Sequence, residues 1–428
     1  MTNLIRIGLI LIILIVSVFA WDNGLLRTPP MGWISWLRFT CQLDCDQYPN
    51  ECINEKLYKD MVDRMSQDGY LEAGYNTVNI DDCWMEKERD PETKRLVADR
   101  QRFPNGIKHL VEYGRAKNVS IGIYQDIGTK TCAGFPGTYS GNEDHSEIDS
   151  KTFAEWGVDS IKMDGCFAKL NEFNKKFTKY RKALEKQDHK IAFCCEWPSY
   201  LSSRIIEDVE FESIKQNCNY WRNYEDVVDS YESLQRIIFF YATHNNLYIK
   251  FNGPGGWFDP DMLTIGNNGL SLEQSKTQMN FWSMWSSPLF MSADLRTIRP
   301  EFKAILLNKN LIAINQDPLG IMATKIIHNE KIQVWSKRLS PICENGPSPF
   351  VVLYYYSETL GNDLFMSYEL SKLIPEEFRK DKYEIKDLYT DKQDRSIIIT
   401  SNQSLRLLVP SSGGSRIVKL VPITNECQ

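Results

Sequence analysis

The sequence lacks the positive charge that nucleic-acid-binding proteins concentrate on one face. Its 428 residues include 50 Lys and Arg against 56 Asp and Glu, for a formal net charge of −6, and no basic block or stripe appears. Binding to a phosphate backbone relies on such a stripe, so nucleic acid is excluded as a partner. Low-complexity tracts and runs of like charge are also absent, and the composition is that of an ordinary globular protein.

Long apolar runs are missing after the first twenty residues, so no later segment is apolar enough to span a membrane. At the N-terminus, Arg6 precedes an almost unbroken apolar run over residues 7–19, and small residues occupy the −3 and −1 positions of a cleavage site after Ala20. The run is too short for a stable span and has the flanks of a signal peptide. We therefore predict a signal peptide over residues 1–20 and a mature chain from Trp21, with a retained signal anchor as the alternative.

Cysteine, in contrast, is plentiful. The chain contains 11 cysteines, a number that makes sense only in an oxidising compartment, and the odd count leaves at least one thiol unpaired. Spacing alone does not give the pairing. Two glycosylation sequons, at Asn118 and Asn402, agree with passage through the secretory pathway. The predicted localisation is therefore that pathway, with lysosomal delivery and secretion both open.

One pattern recurs between residues 70 and 270: a short β-rich apolar run ends in acidic residues, and a helix-like segment follows. The amphipathic segments between these runs cover residues 55–67, 106–117 and 171–186 and are long enough to be crossover helices. The four runs are residues 75–80 before Asp81 and Asp82, residues 119–124 before Gln125 and Asp126, residues 160–163 before Asp164, and residues 191–195 before Glu196.

Strands that alternate with helices predict a parallel sheet with helices packed outside it. About 300 residues in this rhythm match the size of a (β/α)8 TIM barrel, which we place at residues 21–319. A doubly wound open sheet is the alternative, but no Gly-rich nucleotide turn follows the first strand. In a barrel the carboxyl ends of the strands converge on one face, so the acidic residues are expected to form a site for a polar ligand.

The remaining residues, 320–428, have a different character. Short β-rich runs separated by turn residues follow one another without helical spacing between them. We predict a C-terminal antiparallel β-sandwich domain, joined to the barrel by the Pro- and Gly-containing stretch at residues 315–320.

Histidine is scarce, and its placement argues against a zinc enzyme. The chain has five histidines, which lie in helix-like or loop segments away from the acidic strand ends: His109, His145, His189, His244 and His328. Zinc sites usually use His or Cys ligands, so a zinc hydrolase is discounted and no metal or cofactor is predicted. Magnesium held by carboxylates alone stays open as a second class of hydrolase.

Ten segments carry a family resemblance. In chain order they are residues 22–25 (DNGL), 28–33 (TPPMGW), 79–84 (NIDDCW), 130–137 (KTCAGFPG), 156–159 (WGVD), 162–166 (KMDGC), 195–198 (CEWP), 221–223 (WRN), 253–257 (GPGGW) and 259–262 (DPDM). Together they resemble glycoside hydrolase family 27, which includes the animal lysosomal α-galactosidases and α-N-acetylgalactosaminidases. The resemblance is weaker after about residue 320. It implies a barrel followed by an antiparallel β domain, and a homodimer without a membrane span.

The resemblance also implies a retaining exo-glycosidase that removes terminal α-D-galactosyl residues from glycolipids, glycoproteins or oligosaccharides. Asp164 is then the nucleophile, and Lys162, two residues earlier on the same face of the strand, is expected to keep it ionised. A helix-capping role for Asp164 is the alternative. Asp226 is the implied acid/base, although Glu225 and Asp229 are close by. Burial beside Asp164 is expected to raise the pKa of Asp226, so that it holds its proton. The compartment and the need for a protonated Asp226 predict an acidic optimum.

By the same resemblance, the sugar-binding side chains are Trp36, Asp81, Asp82, Tyr124, Cys132, Lys162, Glu196, Ser199, Tyr200, Arg222, Asp261 and Met262. Asp81 and Asp82 are placed on the 4- and 6-hydroxyls, and Arg222 and Asp261 near O2. The implied walls or stacking rings are Trp36, Tyr124 and Trp197.

Four disulfides are implied by the resemblance alone: Cys41–Cys83, Cys45–Cys52, Cys132–Cys166 and Cys195–Cys218. The third would staple a loop beside Asp164. The other three cysteines have no counterparts in the family; a Cys343–Cys427 bridge would leave Cys194 as a buried free thiol.

Two positions give conflicting indications of which sugar is bound. Glu196 is the galactose-type choice because its carboxylate can accept a hydrogen bond from O2 and fills the space of an acetamido group. Ser199, where galactosidases carry a larger side chain, leaves room for that group. We favour galactose, with α-N-acetylgalactosaminidase or dual activity as the alternative and an inactive galactose-binding protein as the non-enzyme alternative.

Overall fold

The computed structural model describes residues 21–202, 206–341, 348–390 and 397–423. The predicted signal peptide and the two cysteines Cys343 and Cys427 lie outside these residues. In the described ranges, no helix has the length and hydropathy that crossing a bilayer requires.

Eight parallel strands form the first part of the chain. They are β1 (Met31–Ile34), β2 (Thr77–Asn79), β3 (Ser120–Asp126), β4 (Ser160–Asp164), β5 (Ala192–Cys195), β6 (Tyr220–Arg222), β7 (Trp257–Asp259) and β8 (Leu289–Met291). They are hydrogen-bonded in the order β8-β1-β2-β3-β4-β5-β6-β7. A parallel bridge between Leu263, which follows β7, and Met291 of β8 joins the two edges of the sheet. The predicted barrel is confirmed.

Helices alternate with these strands. They are α1 (Trp36–Phe39), α2 (Glu55–Gln67), α3 (Tyr70–Ala73), α4 (Gly106–Arg115), α5 (Ser146–Trp156), α6 (Phe173–Glu185), α7 (Ser199–Ser202), α8 (Phe211–Lys215), α9 (Tyr231–Tyr248), α10 (Leu272–Trp285), α11 (Pro300–Leu306) and α12 (Lys309–Asn315). Their amphipathic pattern explains the packing, as α2 shows. Its N-cap Asn54 accepts the Leu57 amide at 2.8 Å, and apolar residues at helical spacing, such as Leu57, Met61 and Met65, are buried.

Parallel register brings the acidic strand ends to one rim. Asp126 at the end of β3 is the direct neighbour of Asp164 at the end of β4. Glu196 directly follows β5, whose last residue pairs with Met163 of β4. Asp81 and Asp82 follow β2 with one residue between. The carboxylates that the sequence pattern singled out therefore meet at the carboxyl face of the barrel.

Antiparallel strands form the second part. They are β9 (Thr324–His328), β10 (Ile332–Arg338), β11 (Phe350–Tyr356), β12 (Leu364–Glu369), β13 (Lys382–Asp387), β14 (Ile397–Thr400), β15 (Ser404–Val409) and β16 (Ser415–Pro422), with a short helix α13 (Leu370–Leu373). Six form one sheet in the order β9-β10-β11-β16-β13-β14, and β12 pairs with β15. Apolar residues of both sheets, including Tyr354, Met366 and Leu405, share one core. This part agrees with the predicted β sandwich; the boundary at residue 320 stays a prediction.

The two parts pack through buried polar contacts. The Lys337 ammonium on β10 donates to the Ser283 carbonyl at 3.0 Å, the Ser286 hydroxyl at 2.7 Å and the Ile314 carbonyl at 2.7 Å. Burial lowers the pKa of Lys337 to about 7. The Tyr231 hydroxyl at the start of α9 lies 2.8 Å from a tyrosine hydroxyl of β11. The β domain thus holds α9, the helix that follows Asp226.

Candidate active site

Asp164 is held rigidly at the end of β4. It is 7% exposed, and its Oδ2 accepts a hydrogen bond of 2.8 Å from the Tyr124 hydroxyl. Its Oδ1 accepts the Gly165 amide at 2.8 Å and the Tyr200 hydroxyl. Donors from β3, from the strand end and from α7 therefore fix both oxygens of one carboxyl group. Asp164 does not cap the next helix, whose turns begin after Lys169 and Glu172, so the capping alternative is wrong.

A disulfide stands beside this carboxyl. Cys132 and Cys166 are bonded, and they join the loop after β3 to the loop after β4. The Tyr124 hydroxyl lies 3.4 Å from the Cys132 sulfur, and the Tyr200 hydroxyl lies 3.1 Å from the Cys166 sulfur. The same two hydroxyls bond Asp164, so the disulfide fixes the position of the groups that orient it.

Lys162 forms its direct ion pairs with other carboxylates and interacts with Asp164 through its charge, so its role in keeping Asp164 ionised stays a prediction. Its ammonium lies 2.8 Å from Asp81 and 3.2 Å from Glu196, so its direct ion pairs bypass Asp164. Burial would lower the pKa of Lys162, but the charges of Asp81, Glu196 and Asp164 outweigh burial and raise it well above its ordinary value. Lys162 is therefore a fixed cation that neutralises two neighbouring carboxylates. Hydroxyl and amide donors, which the sequence pattern did not indicate, hold Asp164 directly.

The carboxylate oxygens of Asp82 accept hydrogen bonds from backbone amides. It is 1% exposed, and it accepts the Cys83 amide at 2.6 Å and the Ala133 amide at 2.9 Å. Burial raises the pKa of Asp82 to about 6. The Ala133 contact ties Asp82 to the loop that also contains the disulfide. Asp81 and Asp82 thus form a buried, oriented acceptor pair.

Arg222 joins three carboxyl groups on the other side of the site. Its guanidinium lies 3.4 Å from Glu196, 2.9 Å from Asp226 and 3.1 Å from Asp261. Burial, and then the charge of Asp164, raise the pKa of Glu196, whereas the charges of Lys162 and Arg222 oppose this rise and favour its ionised form. Glu196 also responds to the charge of Asp226. The charge state of Glu196 is therefore coupled to the charges of both Asp164 and Asp226, the two candidate catalytic carboxyl groups.

The exposure and the pKa of Asp226 differ from those predicted from the sequence. Its side chain is 68% exposed, and the neighbouring Arg222 lowers rather than raises its pKa. The predicted rise, which required burial beside Asp164, is therefore wrong for the free protein. The physical reason is that the loop after β6 leaves this carboxyl at the mouth of the site next to a cation.

The two acidic neighbours of Asp226 are engaged elsewhere. Glu225 lies 3.4 Å from Arg236 of α9. Asp229 accepts the backbone amides of Asn268 and Gly269 at 3.0 and 2.8 Å. Of these three carboxyl groups, Asp226 is the one whose side chain pairs with Arg222 of the site.

The predicted rings divide into two groups. Tyr124 is buried against Asp164, and Trp36 is partly exposed at the start of α1. Trp197 is 2% exposed and stacks on Phe177 of α6 with ring centroids 5.4 Å apart. The expectation that Trp197 forms a wall of the sugar pocket is therefore wrong, because it belongs to the layer between the barrel and its outer helices.

Ser199, the small residue that leaves the choice of sugar open, makes a local contact with the backbone. The Ser199 hydroxyl donates to the Glu196 carbonyl at 2.6 Å, as a first-turn contact of α7. On the floor of the site, a cavity of about 20 Å³ is lined by Lys162, Arg222 and Met262 among others. This volume holds about one water molecule.

Two buried carboxyl groups of the site are not among the predicted site residues. Asp126 is 0% exposed and accepts the Cys166 amide at 2.8 Å, and burial, with the charge of Asp164, raises its pKa well above the ordinary value. Asp259 at the end of β7 accepts the Asp261 amide at 2.9 Å, and burial raises its pKa to about 7. The recurrence of strand ends with carboxylates was the signal for Asp126.

The described residues contain four disulfides, and their partners are those that the resemblance implied: Cys41–Cys83, Cys45–Cys52, Cys132–Cys166 and Cys195–Cys218. Cys194 is a buried free thiol. The suggested Cys343–Cys427 bridge lies outside the described residues.

One group of side chains has the spacing of a metal site. Ligand atoms of Asp126, Cys132, Asp164 and Cys166 lie within 4.8 Å of one another. The two sulfurs are bonded to each other and so are not the thiolates that bind metals. The cluster is therefore better described as a disulfide between two carboxyl groups.

Known proteins resemble the chain over most of its length. The family model described as Alpha galactosidase A matches residues 28–317. An α-N-acetylgalactosaminidase of Gallus gallus is 43% identical over 87% of this chain and 88% of its own length. Alpha-galactosidase A of Homo sapiens is 46% identical over 75% of this chain and 73% of its own. The crystal structure of α-galactosidase I from Mortierella vinacea superposes with a TM-score of 0.78 at 27% identity, covering 93% of this chain and 98% of that one.

Proposed function

This chain belongs to the Alpha galactosidase A family, and on that premise we propose that it is a retaining glycoside hydrolase that removes terminal α-D-galactosyl residues from glycolipids, glycoproteins or oligosaccharides. The family resemblance found in the sequence is confirmed. The observation that supports the chemistry best is the fixed carboxyl of Asp164, buried at a strand end and oriented by two tyrosine hydroxyls.

In the proposed mechanism Asp164 attacks the anomeric carbon while Asp226 gives a proton to the leaving oxygen. The C–O bond to the aglycone breaks and a covalent galactosyl–Asp164 ester forms. Water, deprotonated by Asp226, then cleaves the ester and restores the starting configuration. We propose Oδ2 as the attacking atom, because Tyr124 is its hydrogen-bond donor, whereas Oδ1 accepts two. Oδ2 thus keeps a lone pair for the sugar.

The sugar pocket is proposed to use the buried acceptors around Lys162. Asp81 and Asp82 are assigned to the 4- and 6-hydroxyls, and Trp36, partly exposed, provides an apolar face for the ring. Tyr200 and Cys132 are assigned to the wall beside Asp164. Asp261 and Met262, beside Arg222, complete the floor near O2.

We propose galactose as the preferred sugar. Glu196 lies between Lys162 and Arg222, and we assign its carboxyl to the space in front of O2, where moving it would break two ion pairs. The small Ser199 keeps N-acetylgalactosamine as the alternative, and relatives with both names match this chain over similar lengths.

A parallel assay tests this preference. We expect the purified protein to hydrolyse an aryl α-galactoside with at least about tenfold higher kcat/KM than the aryl α-N-acetylgalactosaminide, since a satisfied hydroxyl discriminates by well over 1 kcal/mol. Glu196→Ser should move that ratio about tenfold or more toward the N-acetyl sugar. Glu225→Ser, an exposed carboxyl nearby, is the matched control. A wild-type preference for the N-acetyl sugar would reverse the assignment, and activity on neither would favour the galactose-binding protein.

The pH dependence of the hydrolysis rate is expected to follow from the effect of Arg222 on the pKa of Asp226. Asp226 must hold a proton to act as acid, so activity is lost as pH rises through its pKa, and Arg222 lowers that pKa in the free protein. We expect kcat/KM to fall with rising pH from a lower pH than kcat does, because a bound sugar covers Asp226 and reduces its hydration. Both profiles should favour acid. If the descending limb of kcat/KM lay at or above that of kcat, this assignment would be contradicted.

We also propose a cell compartment and an oligomeric state for the protein. Four disulfides indicate an oxidising compartment, so we assign the protein to the secretory pathway, ending in the lysosome or outside the cell. Asn118 and Asn402 are exposed and are the proposed glycosylation sites. A homodimer is proposed from the family alone; light scattering of the purified protein tests it.

A further inference from the structure

Phe167 is an exposed aromatic residue in the loop that follows β4, on the catalytic face of the barrel. It lies three residues after Asp164, and it is 63% exposed. The acceptors assigned to the terminal sugar, such as Asp81, Asp82 and Glu196, are at most 4% exposed. The terminal sugar is therefore bound deep in the barrel, and whatever is attached to it must leave past the rim where Phe167 lies.

The backbone holds this ring in an unfavourable conformation. Phe167 has φ 53°, in the left-handed region that side chains other than glycine seldom adopt, at a cost of order 1 kcal/mol. Surrounding contacts enforce it. Gly128 packs so closely that a Cβ there would lie 1.9 Å from the Cys166 carbonyl oxygen and 2.8 Å from the Phe167 carbonyl carbon. The preceding Cys166 is tied by its disulfide and by its amide hydrogen bond to Asp126.

Neither feature helps the free protein to fold. An exposed ring keeps most of its apolar surface in water, and a left-handed phenylalanine adds strain. The strain is maintained by the same loop and disulfide that position the donors to Asp164. A ring fixed in this way is preorganised for a ligand, because it loses little conformational freedom on binding.

We propose that Phe167 is the platform of the aglycone subsite and stacks on the flat face of the group that follows the scissile bond. This inference rests on the proposed function and deepens it. The ligand class is a pyranose or aryl ring, which presents the flat C–H or π surface that aromatic side chains bind. A protein partner seated on Phe167 would cover the entrance to the pocket, so the substrate itself is the occupant that the position favours.

Substrates with and without an aglycone test the proposal. Wild type, Phe167→Ala and Phe167→Tyr are compared on an α-1,6-linked galactosyl disaccharide, an aryl α-galactoside and α-galactosyl fluoride, whose leaving group has no ring. We expect Phe167→Ala to lower kcat/KM about fivefold or more for the two ring-bearing substrates, chiefly through KM, as the loss of one aromatic stack implies. The fluoride should be hydrolysed as by wild type, and Phe167→Tyr should keep all three activities.

Two further variants control for folding. Phe167→Gly relaxes the left-handed backbone and should lose the same aglycone contact, so it replaces the alanine variant if that one does not fold. Phe365→Ala removes a 58% exposed ring from β12 and should change nothing. Equal losses on the fluoride and on the ring-bearing substrates would overturn the inference, since Phe167 would then act through Asp164. So would an absence of any effect. A wild type inactive on all three would instead refute the proposed function.

Discussion

Replacing Asp164 with glycine is expected to reduce hydrolysis of every α-galactoside by about 10⁴-fold or more, because no other group can form the covalent intermediate. Tyr124 and Tyr200 would remain in place but would have no carboxylate to orient. Asp164→Asn should lose as much, since an amide is nearly the same size but is a far weaker nucleophile. Steady-state rates on an aryl α-galactoside measure the effect, and thermal melting checks that both variants fold.

A small nucleophile should separate loss of the attacking group from loss of structure. With azide present, Asp164→Gly is expected to produce β-galactosyl azide, because azide enters the vacated space and displaces the aglycone once, with inversion. The matched control is Asp159→Asn, just before β4 at the opposite end of the strand, where Asp159 accepts the Ile121 amide at 3.2 Å. That variant should keep its activity. Equal loss in both would indicate damage to the strand rather than to the chemistry.

Replacing Asp226 with alanine is expected to cost about 10³-fold on substrates with poor leaving groups and much less on α-galactosyl fluoride. The difference arises because a sugar alkoxide needs the proton that Asp226 supplies, whereas fluoride leaves without much help. Rates on an α-1,6-linked disaccharide and on the fluoride, measured side by side, give the ratio. With azide, this variant should give α-galactosyl azide, since azide would attack the galactosyl–Asp164 ester and complete a double inversion.

The neighbouring carboxyl group provides the control for this assignment. Glu225→Ala removes an exposed carboxylate paired with Arg236 and should leave both substrates nearly unaffected. The assignment would be refuted if Glu225→Ala, rather than Asp226→Ala, lost activity selectively on the disaccharide.

Much of the fold was predictable because the chain repeats one physical pattern. The helix predicted at residues 55–67 is α2 (Glu55–Gln67), and that predicted at residues 171–186 is α6 (Phe173–Glu185). Parallel strands must place their carboxyl ends on one face, so acidic residues after successive strands had to meet there. The pairing of Asp126 with Asp164 in the register is a direct consequence.

The partners of individual side chains were less predictable. Lys162 shares a strand face with Asp164, yet its ammonium pairs with Asp81 after β2 and with Glu196 after β5. These contacts across the barrel rim are not visible in the spacing of residues along one strand. The exposure of Asp226 depends on the path of a loop, which sequence periodicity does not constrain. Trp197 directly follows Glu196, and only the position of α6 determines that its ring is buried.

A covalent trap tests the central claim, that Asp164 forms the glycosyl ester. The wild-type protein would be incubated with a fluorinated galactosyl inhibitor whose ester hydrolyses slowly, digested, and mapped by tandem mass spectrometry. We expect one galactosyl-type adduct, on the peptide that contains Lys162-Met-Asp-Gly-Cys166 and at Asp164 itself, and none in Asp164→Asn. An adduct on Asp226, Glu196 or Asp126 instead would contradict the account, as would turnover that gives β-galactose as the first product.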